Sequence, residues 1–196
     1  MAPSKRKAPP RRAAKLDSGY DRTHVFDTET TGLLKADVSD LEQQPYIIEF
    51  ALSELDREYN IVADHVWLIK PPVDISDEIT KITGLTNDDL KDKPSFIEVL
   101  PEIIDVMKGV DRIMAHNAPF DHGMLVNELK RLGLEFKFPY PPEWVCTVQL
   151  AQELIYGRRA RLIQLYEDTM GKPLEQTHRA LDDVHALVEV VRERRW

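Results

Sequence analysis

The sequence predicts an α/β fold: one domain with a five-stranded mixed sheet flanked by helices. Two features carry this. Three β-prone runs come first, and short apolar runs then alternate with longer stretches whose apolar residues recur at three- and four-residue spacing. No internal repeat or composition break marks a second domain.

Thr23 to Phe26 is a short β-prone segment ending at Asp27, followed by a polar, glycine-containing turn. After a loop over 34–45, Tyr46–Leu55 and Ile61–Ile69 read as strands, and the five polar-rich residues 56–60 between them predict an antiparallel hairpin. Residues 76 to 108 read as helical, broken near Gly84 and Pro94. Arg112–His116 is a fourth strand and Pro119–Leu132 an amphipathic helix. Trp144–Val148 predicts the fifth strand, running into a helix from Gln149. Leu162–Met170 and Ala180–Arg194 complete the chain as helices. Residues 1–19, rich in Pro, Ala, Lys and Arg without apolar period, read as a disordered basic arm, leaving 20–196 as the folded domain.

Of 196 residues, 42% are hydrophobic and 31% charged, which fits a globular chain with a substantial core. No run approaches the roughly 18 apolar residues of a membrane span, and no apolar segment follows the N-terminal cations as a secretory signal requires. Cys146 is the only cysteine, which excludes an internal disulfide and a cysteine-rich zinc site and fits a cytoplasmic location. The net charge is −8, but residues 1–19 hold six cations against Asp17, so the remainder stands at −13. An acidic body repels phosphates unless cations intervene, which disfavours a passive nucleic-acid binder.

Asp27 and Glu29 lie two apart at the end of the first strand, so both project from one face. Paired carboxylates repel each other unless a cation sits between them. In the helix from Pro119, with Phe120 as origin at about 100° per residue, Asp121 falls at about 100°. It is flanked by Met124 at about 40°, Leu132 at about 120°, Leu125 at about 140° and Leu129 at about 180°. An unpaired carboxylate seldom occupies such a buried face, although Glu128, at about 80°, shares it. In the last helix, Leu181, Val184, Leu187, Val188 and Val191 form the apolar stripe. Asp183 lies on its flank and Asp182 almost opposite, so Asp183 is expected to reach inward and Asp182 to face solvent. His178 stands just ahead of this helix, beside Thr177 as a possible cap.

These residues offer hard oxygen ligands and a nearby imidazole. Such a set suits Mg²⁺ or Mn²⁺, whereas zinc wants more His or Cys. Two such ions about 3.5–4 Å apart can activate water and stabilise the leaving oxygen of a phosphodiester. An imidazole with a reference pKa near 6.5 can take the water's proton at neutral pH.

The segments Val25–Leu33 (VFDTETTGL), His116–Asp121 (HNAPFD) and His178–Asp183 (HRALDD) resemble, in order and spacing, the three motifs of the DEDDh exonucleases. This is the family of the proofreading epsilon subunit of bacterial DNA polymerase III, and the resemblance runs over about residues 22–194. It implies an RNase H-like fold and two divalent metals held by Asp27, Glu29, Asp121 and Asp183, with His178 as general base. It also implies that Leu33 packs on the terminal base and that Thr30 contacts substrate. Thr83 would belong to the substrate-side loop Ile82–Leu85, in place of a histidine found in some members. Asn117 and Phe120 match positions lining the nucleotide pocket. The loop from Leu34 to Tyr46 is longer than in the shortest members, and with no polymerase domain expected in these residues, proofreading would run through a partner.

The resemblance implies 3′→5′ hydrolysis of single-stranded or frayed DNA ends to nucleoside 5′-monophosphates, in proofreading or end processing, with a DNA polymerase or replication protein as possible partner. An RNA exonuclease of the oligoribonuclease or RNase T kind uses the same five residues. A non-catalytic relative would gain nothing from the clustered carboxylates. The arginines Arg158, Arg159 and Arg161 read first as a solvated turn, and second as phosphate contacts or a site of partner docking.

Overall fold

The computed structural model describes residues 22–175 and 178–196. The basic arm expected at 1–19 and the possible cap Thr177 lie outside them. The strands are β1 (Thr23–Thr30), β2 (Ile47–Leu55), β3 (Ile61–Leu68), β4 (Arg112–Ala115) and β5 (Glu143–Cys146). They form one sheet in the order β3-β2-β1-β4-β5. The first two pairings, β1 with β2 and β2 with β3, are antiparallel; β1 with β4 and β4 with β5 are parallel. The expected mixed sheet and hairpin are both present.

The helices are α1 (Asp77–Thr83), α2 (Asn87–Leu90), α3 (Phe96–Met107), α4 (Ala118–Arg131), α5 (Thr147–Ala151), α6 (Leu162–Met170) and α7 (Ala180–Arg194). The breaks near Gly84 and Pro94 split the expected helical region into α1, α2 and α3. Gly84 ends α1 in the left-handed conformation at φ 74°, which a glycine reaches without steric cost.

Alternation along the sheet divides the core in two. Phe26, Phe50, Leu52 and Trp67 pack with residues of α3 and α4 on one face. Val25, Ala51, Leu55 and Met114 pack with α6 and α7 on the other. The two central strands, β1 and β2, are therefore covered on both sides, and β2 is buried along nearly its whole length.

Two boundaries differ from expectation by more than one residue. The first strand runs on to Thr30, because residues 27–30 pair with β2 as far as Ile47, with a bulge between Glu29 and Thr30. The fifth strand stops at Cys146, and Thr147 opens α5 with its hydroxyl bonded to the Ala115 carbonyl and His116. The loop before β2 is tightly held. Arg131 donates to the carbonyls of Leu41, Gln44 and Pro45 and stacks on the Tyr46 ring at 3.9 Å. Among the described residues, no helix is long and apolar enough to cross a membrane.

Candidate active site

β1 is the centre of the site, and its alternation sorts the carboxylates. Asp27 and Glu29 share the face of Val25, toward α7, while Thr28 shares the face of Phe26, toward α4. From α7, Asp183 meets the first two: carboxylate oxygens of Asp27, Glu29 and Asp183 all lie within 4.8 Å of one another. On the opposite side, Asp121 is 2% exposed and Oδ1 accepts from the Thr28 hydroxyl at 2.8 Å and the Thr28 amide at 3.1 Å. Four acids from three elements thus meet at Asp27, Thr28 and Glu29 of one strand. Asp182 is exposed, so the helical wheel separated the two neighbouring acids correctly.

His178 is exposed and stands outside the carboxylate group. Its backbone is left-handed at φ 53°, an unusual state for a non-glycine residue, immediately before α7 begins. The other motif positions are distributed as follows. Leu33 is 79% exposed, an apolar side chain offered to solvent beside the end of β1. Thr30 is buried and donates to the Gly32 carbonyl, bracing that turn. Phe120 is half-buried against the α3/α4 core. Asn117 caps the start of α4 at φ 82° and accepts from Arg159 at 2.9 Å. Thr83 does not offer its hydroxyl to a ligand. It is 1% exposed, donates to the Ile79 carbonyl and accepts from the Leu85 amide, because it closes the last turn of α1.

Glu128, the other acid on the buried face of α4, has a different fate. It accepts from the Ile47 amide and pairs with Arg131 at 3.1 Å, so it joins α4 to β2 away from the acids on β1.

The structure adds an acid with no counterpart in the motifs. Glu49 of β2 is 1% exposed and lies directly opposite Glu29 in the β1–β2 pairing. Its carboxylate accepts two bonds from Arg179 and one from the Ala180 amide, at the head of α7. One cue was present in the sequence: an acid inside the apolar run Ile47-Ile48-Glu49-Phe50-Ala51.

Electrostatics identify what the pocket lacks. Burial, then the charges of Asp121, Glu29 and Asp183, raises the Asp27 carboxyl well above its ordinary value. Burial, then Asp183 and Glu49, pushes Glu29 up to about 8, with Arg179 opposing. Asp121 rises to about 7 through burial, against the bonds from Thr28. A pocket whose acids are driven toward neutrality by burial, and for Asp27 and Glu29 by one another's charges as well, fits divalent cations, which favour the ionised carboxylates.

Comparison with known proteins gives the family. The family described as Exonuclease (RNase T) matches residues 24–191. The chain belongs to this exonuclease family. It is 35% identical over 168 residues to the DNA polymerase III epsilon subunit of Treponema pallidum, covering 85% of this chain and 73% of that one. Identity to the epsilon subunit of Haemophilus influenzae is 33% over 177 residues, 87% of this chain and 66% of the relative. To the PolC-type DNA polymerase III of Clostridium perfringens it is 31% over 176 residues, 90% of this chain but 11% of the relative. The chain therefore spans about two thirds of the epsilon relatives and about a tenth of the PolC ones. Among solved structures, exonuclease X in complex with 5′ overhanging duplex DNA aligns with TM-score 0.64 and 26% identity, covering 88% and 90% of the two chains. The nuclease domain of 3′hExo, a DEDDh family member bound to rAMP, aligns with TM-score 0.71 over 90% and 92%; at 21% identity it shares the fold. The expected DEDDh resemblance and RNase H-like fold are both borne out.

Proposed function

We propose that this exonuclease-family chain is a divalent-metal-dependent 3′→5′ exonuclease acting on single-stranded or frayed DNA ends and releasing nucleoside 5′-monophosphates. The convergence of Asp27, Glu29 and Asp183 within 4.8 Å carries the reading. With Asp121 they would hold two ions, Mg²⁺ or Mn²⁺, which supply charge stabilisation at the phosphate and a water acidic enough to react near neutrality.

The chain's own residues do the rest. His178, exposed at the head of α7, is free to approach the site and accept the proton of the attacking water at an imidazole nitrogen. Thr28 fixes Asp121 through its hydroxyl and amide. Leu33 presents an apolar surface on which a terminal base can rest whatever its identity. Thr30, by bonding Gly32, holds the turn that carries Leu33. Phe120 and Asn117 border the pocket from α4, whereas Thr83 acts only through the shape of its turn.

DNA is favoured over RNA because the relatives at 30% identity or more are named as parts of DNA polymerase III. A polymerase or replication protein is the partner this reading implies, with a cytoplasmic location. Cleavage of 5′-end-labelled DNA and RNA strands of the same sequence tests it. Faster shortening of the DNA from its 3′ end is expected; faster shortening of the RNA makes the chain an RNA exonuclease instead.

A further inference from the structure

Away from the carboxylates, one turn concentrates positive charge in an acidic body. Arg158, Arg159 and Arg161 are exposed, and among the described residues none of the three forms an ion pair. Arg158 donates to the Arg159 carbonyl and to Gln164 and lies over the Tyr156 ring at 5.9 Å, all of them neutral partners. The turn leads into α6, whose first turn carries no acid, so three cations stand at the helix end that already bears positive partial charge. Stability of α6 does not account for them, since acids there would serve it better.

The turn is fixed to the active site by two bonds. His116 makes one ring-nitrogen bond to the Ala160 carbonyl at 3.1 Å and the other to the Thr147 hydroxyl at 3.0 Å. Arg159 donates to the Asn117 side chain at 2.9 Å. His116 and Asn117 immediately precede α4, the helix that delivers Asp121. The exposed guanidinium of Arg159 is thereby held one side chain from the residue that starts this helix.

We propose that Arg158, Arg159 and Arg161 form a phosphate-binding ledge that holds the nucleic-acid strand beyond the nucleotide being removed. The inference rests on the proposed function and extends it to a contact outside the terminal pocket. A guanidinium presents a planar fork that matches a phosphate and stays charged at any working pH. Because the chain beyond residue 19 is strongly acidic and repels a polyanion, three cations without an acidic partner mark a path that the strand can follow across it. Backbone contacts of this kind carry no sequence preference, which suits an enzyme that must remove any nucleotide.

The test compares kcat/KM on a dinucleotide and on a 20-nucleotide single strand, both with Mg²⁺, using the full chain. Replacing all three arginines by alanine should lower the 20-mer to dinucleotide ratio tenfold or more. The plot of log KM against log salt for the 20-mer should flatten by up to about 2, at about 0.7 per lost phosphate contact on a single strand. Replacing all three by lysine retains the charge and should recover most of the ratio, which separates loss of contact from loss of fold. An alanine variant whose ratio stays within twofold of wild type overturns the ledge, as does a lysine variant no better than the alanine one. If the wild type cleaves neither strand, the exonuclease reading fails first and the ledge with it.

Discussion

Arg179 grips Glu49 through two hydrogen bonds, Nε to Oε2 at 3.0 Å and Nη2 to Oε1 at 2.7 Å. The Ala180 amide adds a third donor to the same carboxylate at 3.2 Å. Arg179 follows His178 and Asp183 lies four residues further on, so this contact fixes the head of α7 between the proposed base and an inward acid. The proposed base and the carboxylate cluster are joined through an acid on the neighbouring strand.

Glu49→Gln should therefore slow the reaction without abolishing the fold. Glutamine keeps one acceptor oxygen but turns an amide donor against the donors of Arg179 and Ala180. Residues that orient metal ligands typically cost about 10- to 100-fold in activity when altered, and a kcat loss in that range is expected with KM little changed. Removing one member of a fully buried pair costs about 3–5 kcal/mol. The loss here should be smaller, because Arg179 is 40% exposed and can rehydrate. Circular dichroism melting and steady-state kinetics check both parts; a wild-type kcat would remove Glu49 from the account.

Asp183→Ala should nearly abolish turnover, as should Asp27→Ala, Glu29→Ala and Asp121→Ala. By contrast, Asp182→Ala changes an exposed residue outside the carboxylate group, so turnover should persist. Kinetics of the two adjacent variants, side by side, decide the assignment. A more damaging Asp182 substitution would reverse it.

His178→Ala should fold, bind metal and lose about 10²- to 10⁴-fold in rate, the usual contribution of a positioned general base. Metal titration by calorimetry alongside the rate measurement separates the two roles. Normal metal binding with normal turnover would exclude His178 as the base.

The metal-free protein should lose stability as pH rises. Glu29 and Asp121, ordinarily near 4.5 and 3.8, stand at about 8 and about 7 in the folded chain. Both hold their protons more tightly folded than unfolded, so their contribution is fully present below their ordinary values. It is lost as pH rises through 7 to 8. Without divalent ions, Tm should fall across this window. A metal that binds only the folded state should restore about 2.7 kcal/mol at a hundred times its Kd. A Tm independent of pH in chelator would contradict the crowded, charge-starved pocket.

Much of this was legible in the residues, for identifiable reasons. The boundaries of the helices at Leu162–Met170 and Ala180–Arg194 followed from apolar spacing, and the choice of Asp183 over Asp182 from a single helical wheel. The wheel of α4 does not separate Asp121 from Glu128, because both are buried; what divides them is Thr28 against Arg131, contacts across 93 and 3 residues. Glu49 carries no motif signal, because its role depends on Arg179, 130 residues away. Thr83 matched a motif position, but the bonds that close a helix turn are invisible to motif matching. The end of β1 was drawn short because Thr30-Thr31-Gly32 reads as a turn, while pairing with β2 extends the strand through Thr30.

Metal-dependent hydrolysis at the carboxylates is tested most directly by the shortening of a 5′-labelled single-stranded DNA by the wild type and by Asp183→Asn, each with Mg²⁺ and with chelator. A one-nucleotide ladder growing from the 3′ end is expected only for the wild type with Mg²⁺. A ladder that persists in chelator, or an Asp183→Asn variant that cleaves at the wild-type rate, would contradict it.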